Sequence, residues 1–190
     1  MEKPVAPERA DRRRALILLA ALVLLLAANL RPSYSVTVAG TQLPGRYGLR
    51  QTERCAALAR ETAEEILGRE PLLPEPELHL RLSLGGADGD DARLTDALLR
   101  ATPGVAVAEE VRVNGIRLGT VADGQTLVRA LERSIRGQMP LAAVSYSISG
   151  QLELRRVYTR AGSCTPDSDM ILLITGMAPV VYVDANGKLA

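Results

Sequence analysis

Alternation of apolar and polar residues marks the start of a β-hairpin three times along the chain. Val111-Arg-Val-Asn-Gly-Ile-Arg-Leu118 reads V-x-V-x-G-x-x-L, with one strand face apolar and Asn114-Gly115 at the turn. Val36-Thr-Val-Ala-Gly-Thr-Gln-Leu43 repeats the pattern. Val181-Tyr-Val-Asp-Ala-Asn-Gly-Lys-Leu189 is a looser copy with two extra residues before its glycine. The copies lie about 70–75 residues apart, which predicts two similar modules and the opening of a third.

Between the hairpins the periodicity changes to that of helices. Thr52 is placed to cap a helix whose apolar face carries Cys55, Leu58, Ala59, Ile66 and Leu67, with Gly68 ending it. Pro71, Pro74 and Pro76 mark an extended connector. Leu78-His-Leu-Arg-Leu-Ser-Leu84 alternates strictly and predicts a strand with its four leucines inward and His79, Arg81 and Ser83 outward. Asp90 or Asp91 then caps a short helix ending near Ala101. In the second module the pattern predicts a helix over 126–136, strands over 144–148 and 152–154, and a strand over 180–183. Met170 to Thr175 is too short for periodicity to decide. Its alignment with the first module's second helix makes it helical. The expected fold class is α+β, each module running hairpin, helix, strand, helix, strand.

Ahead of the modules stands Ala15 to Ala28, an unbroken apolar run preceded by Arg12, Arg13 and Arg14. Such a run predicts an N-terminal transmembrane helix, with the lipid bilayer as its first partner. The arginines place the N-terminus in the cytoplasm and the bulk of the chain outside, in a single pass of the cell membrane. The organisation expected is a cytoplasmic basic head over 1–14, a transmembrane signal-anchor over 15–30, one module over 33–109 and another over 110–190. Leu30, with Arg14 and Arg31 at the flanks, would lengthen the span. Leu26 at the −3 position of a cut after Ala28 is not a small residue, which favours an anchor. Cleavage would instead release a secreted binding module.

Composition narrows the chemistry. Net charge is +1, with six basic and three acidic residues up to Arg31, so the remainder is near neutral. It lacks the basic footprint of a nucleic-acid binder, and Trp and Phe are absent as stacking platforms. His79 is the single histidine, and there is no Cys-x-x-Cys, so a multi-histidine or Cys-rich zinc site is excluded. No serine lies in a G-x-S-x-G elbow, and no Walker loop or G-x-G-x-x-G occurs. Asp88, Asp90 and Asp91 lack the ligand spacing of a calcium loop and read as turn and capping residues. No catalytic residue, cofactor or metal is expected. Cys55 and Cys164, the only cysteines, are candidates for a disulfide in an exported chain. Val180, Val181, Tyr182 and Val183 form a candidate edge for strand addition by a partner.

A basic head, an apolar segment and hairpin-opened units carrying Val111-Arg-Val-Asn-Gly115 and Val181-Tyr-Val-Asp184 resemble a known arrangement. It is the membrane-proximal, non-catalytic region of Gram-positive cell-wall endopeptidases of the lysostaphin type. The His-x-x-x-Asp and His-x-His motifs of their zinc peptidase domain have no match here. The resemblance implies a non-catalytic scaffold or interaction protein of the bacterial cell envelope, with an envelope protein or peptidoglycan as partner. The alternative it implies is a truncated or accessory part of a peptidoglycan hydrolase whose catalytic domain lies elsewhere.

Overall fold

The computed structural model describes residues 8–29, 31–83 and 85–190. Leu84, expected on the inward face of its strand, and Leu30, expected in the span, lie outside them. The elements in order are α1 (Glu8–Asn29), β1 (Arg31–Val38), β2 (Thr41–Gln42), α2 (Leu49–Leu67), β3 (Glu77–Ser83), α3 (Asp91–Ala101), β4 (Val105–Val113), β5 (Ile116–Val121), α4 (Gly124–Gly137), β6 (Ala143–Ile148), β7 (Leu152–Arg160), α5 (Asp167–Met177) and β8 (Val180–Asp184). The α+β class holds.

The transmembrane segment does not. Among the described residues no helix is long and apolar enough to cross a membrane. The apolar part of α1 is about 14 residues, roughly 21 Å of helix, against a hydrocarbon core of about 30 Å. Glu8, Asp11 and four arginines, Arg9, Arg12, Arg13 and Arg14, fill its first turns. The transmembrane signal-anchor over 15–30, and the single-pass location with a cytoplasmic N-terminus and an extracytoplasmic bulk, are corrected on this ground.

The chain divides into two compact units, Met1–Ala59 with Leu73–Ala101, and Arg60–Leu72 with Thr102–Ala190. The expected boundary at 109/110 falls inside β4 rather than between units.

In the first unit β1 is the central strand of the order β2-β1-β3, antiparallel to both neighbours. Ala39 and Gly40 turn the hairpin with φ of 47° and 78°, the two positive values a type I′ turn requires. Helix α2 begins earlier than Thr52. Gly48 is its cap, and Gln51 reaches back to accept from the Gly48 N–H at 3.0 Å, as in a capping box. Thr52 sits inside the helix and donates its hydroxyl to the Gly48 carbonyl. Val36, Val38, Tyr47, Cys55, Ala59, Leu94 and Leu98 are buried in this unit. Leu80 and Leu82 are not: they stand 60% and 67% exposed, against the inward placement that alternation implies. Alternation sorts side chains onto two faces, but whether a face is covered depends on the elements packed over it.

In the second unit the order is β5-β4-β7, again with the hairpin's first strand central and both pairings antiparallel. Asn114 and Gly115 turn this hairpin with φ of 53° and 79°. β7 runs six residues past the expected 152–154, far enough to pair with all of β4. Val111, Val113, Val121, Leu127, Leu131, Ile135, Met170 and Ile174 make one core under α4 and α5. Asp123 caps α4 through the Gln125 N–H at 3.0 Å and the Thr126 hydroxyl at 2.6 Å. The segment around Met170 to Thr175 is helical, within α5. A separate two-stranded sheet, β6-β8, completes the unit.

Candidate strand-docking edge

Strands β6 and β8 pair antiparallel, with Tyr146 opposite Tyr182 and Ser147 opposite Val181. β8 carries all four residues expected to receive a partner strand. Its sides are already occupied. Past Asp184 the chain turns, with the Asp184 carboxylate accepting from the Asn186 and Lys188 N–H groups at 2.8 Å. The returning residues then pair with β8: Asp184 N–H donates to the Lys188 carbonyl, Ala190 N–H donates to the Tyr182 carbonyl, and Leu189 bridges Val183. Backbone groups of a strand alternate in direction, so Tyr182 and Asp184 face this return while Val181 and Val183 face β6. Val180 to Val183 thus lies between two neighbours of its own chain, and the open edge moves to β6.

On β6 the same alternation turns Ser145 and Ser147 toward β8 and leaves the Tyr146 N–H and C=O pointing outward. A bulge between Ala143 and Ser145 bends the strand there. Beside this edge lies an open groove of about 740 Å³, lined among others by Arg136, Met139, Leu141, Val144 and Tyr146. Leu141 is fully exposed and Val144 is 62% exposed. Among the described residues no acidic side chain lines the groove, so Arg136 makes it positive. α4 positions that arginine: Leu127, Leu131 and Ile135 hold the helix on the core, and the Tyr182 hydroxyl donates to the Ile135 carbonyl at 3.2 Å. A strand edge with exposed apolar side chains and one cation offers main-chain hydrogen bonds, side-chain pockets and a carboxylate partner.

A second groove, about 590 Å³, lies between the first hairpin and α3. Its arginines are engaged, Arg93 with Asp90 at 3.6 Å and Arg100 with Asp96 at 3.0 Å. It offers no uncommitted charge of comparable kind.

The remaining candidates are dispersed. Cys55 and Cys164 are both free thiols, one in each unit. Cys55 is buried, and burial pushes its thiol above the ordinary range, so it stays protonated. Its Sγ lies 3.7 Å from the Asp91 carbonyl. His79 is exposed on β3, 4.0 Å from Glu77. Asp88 pairs with Arg46 at 2.8 Å, Asp90 accepts from the Ala92 N–H to start α3, and Asp91 accepts from the Gln51 side chain. Asp90 takes the capping role expected of the three aspartates, while Asp88 and Asp91 bind residues distant in the chain. Among the described residues no group of three or more His, Cys, Asp or Glu is placed to hold a metal ion.

Sequence reasoning found β6 as a strand but not as an edge. Val144-Ser-Tyr-Ser-Ile148 shows the alternation of a strand covered on one face. Which of its neighbours pairs with it is a long-range matter that the local pattern does not carry. Neither a family model, nor a curated protein, nor a solved structure matches the chain.

Proposed function

We propose that this chain is a non-catalytic interaction module that binds an extended segment of a partner protein along β6, with a carboxylate of that segment on Arg136. The observation that carries the reading is the outward Tyr146 backbone beside a groove whose one charged lining residue, among the described residues, is a cation. Strand addition supplies affinity through main-chain hydrogen bonds, and Arg136 selects for an acidic residue. The exposed histidine and the protonated, buried Cys55 support a binding role over a reactive one. The likeness of the hairpin-opened units to non-catalytic stalk regions supports it as well.

The test uses fluorescent peptides of about eight residues with alternating valine and threonine and a single glutamate, beside matched peptides with glutamine. Fluorescence anisotropy is expected to give micromolar binding for the glutamate set, weakened about tenfold by Arg136→Glu. Amide shifts on binding should centre on Val144 to Ile148. Equal binding of the two peptide sets would remove the arginine's role, and no binding of either at millimolar concentration would remove the module's.

A further inference from the structure

The first unit has an open edge of a different kind. In β1 the Tyr34 N–H and C=O exchange hydrogen bonds with Tyr47 at 2.8 Å, and the Val36 carbonyl accepts from Leu43. Even-numbered residues of β1 therefore face the β2 side, and the odd ones face β3. Through the register Ser33 with Arg81 and Ser35 with His79, the odd-numbered residues of β3 face β1. Leu78, Leu80 and Leu82 are left with their backbone groups pointing out of the sheet. β3 is the terminal strand of its sheet, paired with β1 over seven residues without a register shift, and two of these leucines are exposed by more than half. Such an edge is free to template another strand.

The sequence of β3 is self-complementary about Leu80. A two-fold axis there sets Leu80 against Leu80 and Leu78 against Leu82 of a second copy, in antiparallel register. All three outward residues then exchange hydrogen bonds, about six in total. The exposed leucines stack on one face. On the other face Glu77 falls diagonal to Arg81 of the second copy, twice by symmetry, within reach of long side chains. Arg81 lies opposite the second copy's His79. Sliding the axis to His79 leaves Leu82 unpaired, so the leucine-centred register satisfies the most groups.

We infer that β3 pairs with β3 of a second copy of this chain, forming a two-fold dimer centred on Leu80. The contact is isologous and closes on itself, so it ends at two chains. It uses none of the residues at the β6 edge, and its failure leaves the peptide-binding reading untouched.

Sedimentation velocity of the full chain tests it. The unaltered chain is expected to be a dimer at tens of micromolar. Leu80→Lys opposes two cations at the axis and should give a monomer with unchanged circular dichroism, since Leu80 is largely exposed. Glu77→Arg should raise the dimer dissociation constant about three- to tenfold. Adding Arg81→Glu to it should restore the original value within about twofold. This reciprocal pair separates β3 pairing from association through the exposed leucines of α1, which neither change touches, and it decides the matter if Leu80→Lys fails to fold. A monomeric unaltered chain at about 200 µM, a Leu80→Lys dimer, or a double reversal as weak as the single one would each overturn the proposal.

Discussion

Two loops of the first unit are joined residue by residue. The Arg46 guanidinium and backbone N–H both donate to Asp88, at 2.8 and 2.7 Å. The Asp88 and Gly89 N–H groups return bonds to the Arg46 carbonyl at 2.9 and 2.8 Å. Tyr47 is wholly buried, its hydroxyl donates to the Pro44 carbonyl, and its ring lies where a Cβ at Gly89 would come within 2.6 Å. Glycine is therefore required at 89 by space rather than by backbone angle. The Arg46 hydrogen bond holds the Asp88 carboxyl down to about 2, from an ordinary 3.8. A depressed carboxyl contributes stability that is full above its unfolded value and lost as pH falls through its folded one. Thermal unfolding should thus show a loss of stability between about pH 4 and pH 2 that Asp88→Asn reduces, with the variant less stable than the parent at pH 7. A loss of unchanged depth in the variant would assign it to other carboxyls.

At the scale of elements, capping and turn chemistry were the most legible. Ala39-Gly40 and Asn114-Gly115 place two positive φ values side by side, and both hairpins form where the short pattern puts them. Asp90 starts α3 and Gly68 ends α2 as read. Residue type puts the start of α2 at Thr52, a good capping residue, while in the fold Gly48 and Gln51 cap it through a backbone group and a side chain. β7 was read short because Arg155 and Arg156 interrupt its apolar alternation. Glu110 on β4, almost buried, lies opposite Arg155 of β7 and is held by Arg112 of its own strand at 2.6 Å and by Arg117 of β5 at 2.9 Å. Charges that satisfy one another across strands are invisible to a hydropathy pattern. α4 tests the capping argument directly: Asp123→Ala should cost about 1 kcal/mol in urea denaturation. A change within about 0.2 kcal/mol would mean that solvent satisfies the helix start equally well.

For the molecule as a whole, composition and periodicity gave α+β but not the partition of the chain. Hairpin spacing put a boundary at 109/110, yet β4 is one continuous strand from Val105 and pairs along its full length with β7. Strand continuity is enforced by the ladder, which outweighs a repeat read from one end of it. The apolar leader reads as a transmembrane helix, and that expectation fails. Its length in ångströms was the quantity that mattered, and it falls short of a crossing. The second unit has a core of its own, so Leu127→Ala should lower its stability by about 2–5 kcal/mol. Hydrogen exchange would read this as faster exchange across β4, β5 and α4, and protection unchanged there would show that the core is not organised around Leu127.

The return of the last residues onto β8 has a practical side. The Ala190 amide is already bonded to Tyr182, so residues 188–190 form part of the ladder instead of trailing into solvent. An affinity handle or fluorophore placed among them would compete with those bonds, and reporters are better grafted at the exposed bend of Arg69 and Glu70.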